Sequence, residues 1–241
     1  MAGNYPYTRP SSVRYIALTS VLIAFTVVVT KIPAFPLFGV QGSISLGAVV
    51  PVIVGFLLPP LPALVVAVIG GGIASLIPPA GIFGPLSPLP MVLGTLASSM
   101  IFYWGKRGFT GYIVLHVLLI LGFIAVSGSV FNEFYFYPWF HVLGLLLAVI
   151  FFLRVREPYK YIVPAGIAGI LVDHMTGSLV AQVYFPLVAG FSIPPEIWAS
   201  VSFIYPVERT VLIVIAVIVV GVLYRMKVAA PWRRQSATLK A

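Results

Sequence analysis

The chain contains no cysteine, and of its 241 residues only five are acidic and three are histidine. Without cysteine it forms no disulfide, no thiolate metal site and no Cys nucleophile, and it carries no clue to redox compartment. Charged residues make up 8%, against about 25% in a typical globular chain, while 61% are hydrophobic and the mean hydropathy is +1.11. A water-soluble fold of this length has too few polar residues here to cover itself. The composition predicts an integral membrane protein.

Other absences narrow the function. No G-x-x-x-x-G-K-[ST] occurs, and no soluble stretch is long enough for a nucleotide-binding domain, so ATP-driven transport would need other subunits. With three His, no Cys and no H-E-x-x-H, a metalloenzyme is not expected. No G-x-S-x-G elbow or Ser/His/Asp order supports hydrolysis. No D-x-x-D pair supports Mg²⁺-diphosphate chemistry on lipid or isoprenoid substrates. No cofactor is implied.

What is there begins with apolar runs able to cross about 30 Å of hydrocarbon, over 13–32, 88–104, 112–127, 139–154, 162–181 and 203–224. Residues 46–77, broken by PPLP, read as two short helices or as a re-entrant hairpin, which is tolerable only where protein surrounds it. The expected fold is all-α: a polytopic helical bundle of eight helical segments, forming one transmembrane domain over 1–241. Either reading of 46–77 leaves both termini on one side. The first apolar stretch is longer than a signal-peptide core and lacks an A-x-A-like site, so it is expected to stay attached.

Fourteen Lys and Arg against five acids leave +9. Twelve of the fourteen share one face: Arg9, Arg14, Lys106, Arg107, Arg154, Arg156, Lys160, Arg225, Lys227, Arg233, Arg234 and Lys240. The positive-inside rule makes that face cytoplasmic, with tails 1–12 and 226–241 on it, in the plasma membrane of a prokaryote. The charges are spread over short loops without a basic motif, so nucleic acid is not an expected partner. Only Lys31 and Arg209 fall elsewhere.

Small residues four apart mark faces where helices approach closely in lipid. Two such stripes are regular, Ala63, Ala67, Gly71, Ser75 and Ala165, Gly169, Asp173, Gly177, Ala181. Shorter repeats are Ser20 with Ala24 and Gly94 with Ser98. The last helix, TVLIVIAVIVVGVLY, is expected to give much of its surface to lipid.

A carboxylate within a span costs about 2.5–3.5 kcal/mol and so faces protein or water. At 1.5 Å per residue, Asp173 lies about 12 Å and Arg209 about 9 Å from the outer ends of their helices. They are expected to meet in the outer half of the bilayer, and His174 and Glu208 match in depth. The alternatives are a structural ion pair, an outward pocket lined by Asp173, His174, Glu208 and Arg209, and a proton relay. His116 and His141 read as packed or interfacial.

The outer loops are long and aromatic. PAFPLFGVQGSIS offers Gln41, Ser43 and Ser45; NEFYFYPW offers Asn132, Glu133, Tyr135, Tyr137 and Trp139; the segment before the last helix offers Gln182, Tyr184, Glu196, Trp198 and Tyr205. Such residues form an interfacial belt, or a pocket in which rings stack on a flat heterocycle and a few polar groups hold its edges.

The segments RYIALTSVLIAFTVVVTKIP, SLGAVVPVIVGFLLPPLPALVVAVIGGGIASLI, AGILVDHMTGSLVAQVYFP and FIYPVERTVLIVIAVIVVGVLYR carry a resemblance. Over about two-thirds of its length the chain resembles the substrate-binding membrane S component of energy-coupling factor (ECF) transporters, small proteins that capture a vitamin or similar micronutrient from outside. The resemblance implies partners, a transmembrane T component and two ATPase subunits. It also implies that an A-x-x-x-A pair in the first helix packs on the T component; Ser20 and Ala24 are the nearest match, with Ser for the first Ala. Segment 112–154 adds two apolar helices to the family's usual six. The candidate substrate site is therefore Asp173, His174, Glu208, Arg209, Gln41, Gln182, Trp198 and Tyr205, and the candidate partner contact is Ser20 and Ala24. A carrier acting alone, proton-coupled or facilitative, and a membrane enzyme are the other readings.

Overall fold

The computed structural model describes residues 12–36, 43–78, 81–128 and 136–228. The chain is helical, as its composition implies: α1 (Ser12–Thr30), α2 (Val50–Leu57), α3 (Pro60–Leu76), α4 (Leu89–Ser127), α5 (Trp139–Arg154), α6 (Tyr159–Tyr184) and α7 (Pro195–Arg225). Three helical stretches, Gly84–Ser127, Tyr159–Ala189 and Pro195–Arg225, are long and apolar enough to cross a membrane.

The first of these is not one straight helix. Gly105 has φ 55 and ψ −123, a conformation open to glycine and strained for any residue with a Cβ. Here α4 folds back on itself, so that a Cβ placed on Gly108 would lie 1.8 Å from the carbonyl oxygen of Met100. The two arms, 89–104 and 106–127, match the separate runs read from the sequence, with Lys106 and Arg107 at the turn. Gly105→Ala is expected to cost about 1–3 kcal/mol through backbone strain, read as a lowered thermal midpoint of the purified protein.

Residues 46–77 form two short helices joined through Leu58 and Pro59. Pro51 and Pro60 sit in first turns, where a missing N–H costs nothing. Val50, Val52, Val54 and Phe56 are wholly buried, so protein surrounds α2 on every side.

α6 is the central element, enclosed by α4, α5 and α7, and its Ala165, Ala168, Ile170, Leu171, Val172 and Met175 have no exposed surface. Both small-residue stripes are used for close approach. A Cβ on Gly94 would meet Gly169 O at 2.4 Å, and one on Gly169 would meet Ser98 Oγ at 2.3 Å and Val52 Cγ2 at 2.7 Å. Ser98 Oγ also donates to Ala165 O at 3.0 Å across the same seam. On the stripe of α3, Ala63, Ala67 and Gly71 are buried, and beside them Gly70 packs on Thr26 of α1. Val207, Val211, Val214, Ile218 and Val222 of α7 are exposed, in line with the lipid face read for the last helix.

Two segments differ from the sequence reading. The segment after α1 contains an antiparallel pair, β1 (Pro33–Pro36) and β2 (Ser43–Ser45), with Phe35 opposite Ile44. Its prolines read as turn formers, yet an edge strand has no ladder partner on one side and tolerates them. The last helix begins at Pro195 instead of 203, because proline suits a first helical turn and Glu196 complements the helix dipole there. Trp198 therefore sits on a helix, not in a loop, and Tyr205, already within the 203–224 run, lies in the interior of that helix and not near its start. Before it, a π-turn over Phe185–Ala189 ends at Gly190 with φ 77.

One end of the bundle gathers basic side chains. Arg225 donates to the Tyr159 hydroxyl (3.4 Å), and Lys160 Nζ lies 5.0 Å above the Phe152 ring, which itself stacks on Phe109 at 4.1 Å.

Candidate functional site

At the opposite end, the β-hairpin, the C-terminal ends of α1 and α3, the 81–91 segment, and facing stretches of α6 and α7 enclose a cavity of about 630 Å³. This is within the range of small-molecule sites. Its wall is apolar over most of its area, from residues such as Phe83, Met91, Phe185 and Ile197, with charged groups gathered on α6 and α7.

Asp173, His174, Trp198, Tyr205, Glu208 and Arg209 all line this one cavity. Of the candidate site residues, Gln182 does not line it: its Nε2 is buried and has no hydrogen-bond partner among the described residues. Gln41 lies outside the described residues, as do Asn132, Glu133 and Tyr135 and most of both tails. Ser45 lines the cavity but spends its Oγ accepting from Gly47 N at 3.1 Å, capping the turn that leads into α2. Lys31 lines the rim and donates to Ile77 O. The two cations that the basic face left out thus both come to the cavity wall.

Arg209 is 6% exposed, and among the described residues its Nε has no hydrogen-bond acceptor. Asp173 and Glu208 are within electrostatic range of it, but among the described residues no ion pair closes. The structural ion pair weighed from the sequence is therefore not formed at contact distance. A buried guanidinium whose Nε–H has no acceptor among the described residues carries a desolvation cost that a bound acceptor would offset. Trp198, 5% exposed, likewise has an Nε1–H without an acceptor among the described residues. Tyr205 and Tyr137 are already committed. Tyr205 donates to Tyr137 O at 2.7 Å, and Tyr137 bonds Ser178 Oγ at 2.8 Å while Ser178 donates to His174 O. Burial raises the Tyr137 hydroxyl above its ordinary pKa, which keeps it a donor to Ser178.

Sequence reasoning missed the groups behind His174. Tyr112, His116, His141 and His174 form one hydrogen-bonded row: Tyr112 Oη to His116 Nδ1 at 3.3 Å, His116 Nε2 to His141 Nδ1 at 3.1 Å, and His141 Nε2 to His174 Nδ1 at 3.1 Å. All three histidines of the chain belong to it, and His116 and His141 are wholly buried. Depth arithmetic does not reveal the row, because the three histidines fall at different depths in the 112–127, 139–154 and 162–181 runs. The ring nitrogens point at one another and do not converge on a point. Among the described residues no group of three His, Asp or Glu is placed to hold a metal ion.

Ser20 and Ala24 lie on the exposed face of α1, away from the cavity. No protein-family model, curated protein or solved structure matches the chain.

Proposed function

We propose that this protein is the membrane substrate-capture subunit of an ECF-type importer, holding a vitamin-like solute in a pocket open to the outside. The observation that carries the reading is the buried Arg209, whose Nε has no hydrogen-bond partner among the described residues, set with Asp173 and Glu208 in an apolar cavity at the end opposite the basic residues. A structural ion pair has no use for a void of this size. Under this reading the bundle lies across a prokaryotic plasma membrane with the basic end and both termini in the cytoplasm. The absence of a nucleotide motif leaves ATP hydrolysis to partner subunits.

The test is a thermal-shift screen of the purified protein against a vitamin panel, together with co-purification with a T component and ATPases. A ligand-dependent shift and a complex are expected; neither appearing would sink the proposal. The exposed Ser20/Ala24 face is the expected docking site. The pair Ser20→Leu and Ala24→Leu is expected to abolish association with the T component and leave the ligand-induced thermal shift unchanged. Association at the wild-type level would remove that face from consideration.

A carrier acting alone with proton coupling is the second reading, and the row of three histidines favours it. Uptake into protein-free liposomes without ATP separates the two.

A further inference from the structure

The histidine row allows its protons to be counted. In the uncharged row, Tyr112 and the three imidazoles hold four exchangeable hydrogens, and there are three links between them, each with room for one. The fourth hydrogen must sit at one end. Either Tyr112 donates inward and His174 presents Nε2–H at the far end, or every link reverses and the Tyr112 hydroxyl points away from His116 with His174 Nε2 bare.

The surroundings of the two ends differ. Tyr112 has no exposed surface and lies against Phe109, which stacks on Phe152. Among the described residues His116 is the only hydrogen-bond partner of its hydroxyl. Reversal would therefore strand a buried O–H, which costs its full desolvation. His174 is partly exposed and lines the cavity, and among the described residues its Nε2 has no partner. The fourth hydrogen belongs at the cavity end. The row also runs along the bundle: Tyr112 lies about 10 Å along α4 from the Gly105 turn and His174 about 22 Å along α6 from its start.

We infer that Tyr112, His116 and His141 are positioning residues that hold His174 as an Nε2–H donor, and that this donor and the Arg209 guanidinium form a subsite for a ligand carboxylate. The inference deepens the capture reading by naming the chemistry of one end of the solute. Arg209 and His174 line the same cavity, and a guanidinium takes a carboxylate in a planar fork. Asp173 and Glu208 supply acceptors in the same wall. The carboxylate is then one end of a solute whose other end donates hydrogen bonds.

The test uses the full-length protein in lipid nanodiscs with ¹⁵N-labelled histidine rings, read by long-range ¹⁵N–¹H correlation. Three histidines make six ring-nitrogen signals, assignable through His→Gln variants. The expected result is a hydrogen on Nε2 and none on Nδ1 in all three rings; Nδ1–H on any ring overturns the inference. Tyr112→Phe removes the terminal donor and is expected to give mixed tautomers, and an unchanged pattern in a folded variant would show that Tyr112 does not set the direction. If that variant fails to fold, the wild-type tautomers still decide.

4-Aminobenzoate and 4-aminobenzamide, which differ at the carboxylate, probe the subsite. 4-Aminobenzoate is expected to shift the His174 Nε2 signal at or below about 10 mM, the weak limit for a matched ligand of ten heavy atoms, and at least tenfold below the amide. Arg209→Gln is expected to remove that difference. Equal or better binding of the amide, or no shift from either, overturns the carboxylate assignment. These measurements need no partner subunits, so failure to assemble with a T component and failure of this subsite are separate outcomes.

Discussion

Alanine at Gly94 is expected to destabilise the protein by about 1–3 kcal/mol, while alanine at Gly72 is expected to leave stability unchanged or raise it by up to about 1 kcal/mol. Both glycines lie inside apolar helices, so helix propensity alone predicts the same sign. The tertiary environment reverses one of them. A Cβ on Gly94 would sit 2.4 Å from the carbonyl oxygen of Gly169 and 3.1 Å from Asp173 Cβ, whereas a Cβ on Gly72 meets nothing within 4 Å. The Gly169 obstacle is backbone and cannot rotate away, so α4 and α6 must part along their length. That separation also weakens the Ser98 bond to Ala165 O and moves Asp173 in the cavity wall. Thermal unfolding of both variants in one detergent checks the prediction; shifts of the same sign would show that the seam does not depend on close approach.

Arg209→Gln is expected to weaken binding of any panel compound that shifts the wild-type melting curve by about 2–5 kcal/mol, or roughly 30- to several-thousand-fold in Kd. The substitution removes the one guanidinium in the wall and leaves Asp173 and Glu208 without the cation that faces them. Two consequences separate a binding role from a purely structural one. Arg209→Lys keeps the charge but loses the planar fork, and is expected to fall between the wild type and Gln. Asp173→Asn in the Gln background removes the repulsion and is expected to restore thermal stability without restoring affinity. Recovery of both together would mean that Arg209 balances charge and does not contact ligand.

Much of the site was legible because charge is so scarce. With five acids in 241 residues, an Asp or Glu inside an apolar run stands out, and rise per residue sets its depth. That reasoning brought Asp173, His174, Glu208 and Arg209 to one level, and all four line one cavity. Trp198 and Tyr205 line the same cavity, but Trp198 was assigned to a loop; Pro195 and Glu196 start a helix there that residue patterns of apolar runs do not detect, since its first turns are mixed in polarity. Gln182 was named on polarity alone, and polarity does not say which way a helical residue faces. His116 and His141 were set aside one at a time, as single histidines in separate helices.

By itself the sequence determined the helical class, the concentration of basic residues at one end, the break between the 88–104 and 112–127 runs and the small-residue stripes on which α4 and α6 meet. These follow from local rules: period, charge count and the absence of a side chain. Only the tertiary structure decided which side chains share hydrogen bonds, because a link such as His141 to His174 joins residues 33 apart and depends on the rotation of two helices about their own axes. Rotation is set by packing at seams such as Gly94 against Gly169, and no run of apolar residues encodes it. Lys31 and Arg209 show both halves of that division. Their exclusion from the basic face could be counted from the sequence, and their meeting in one cavity wall required the fold.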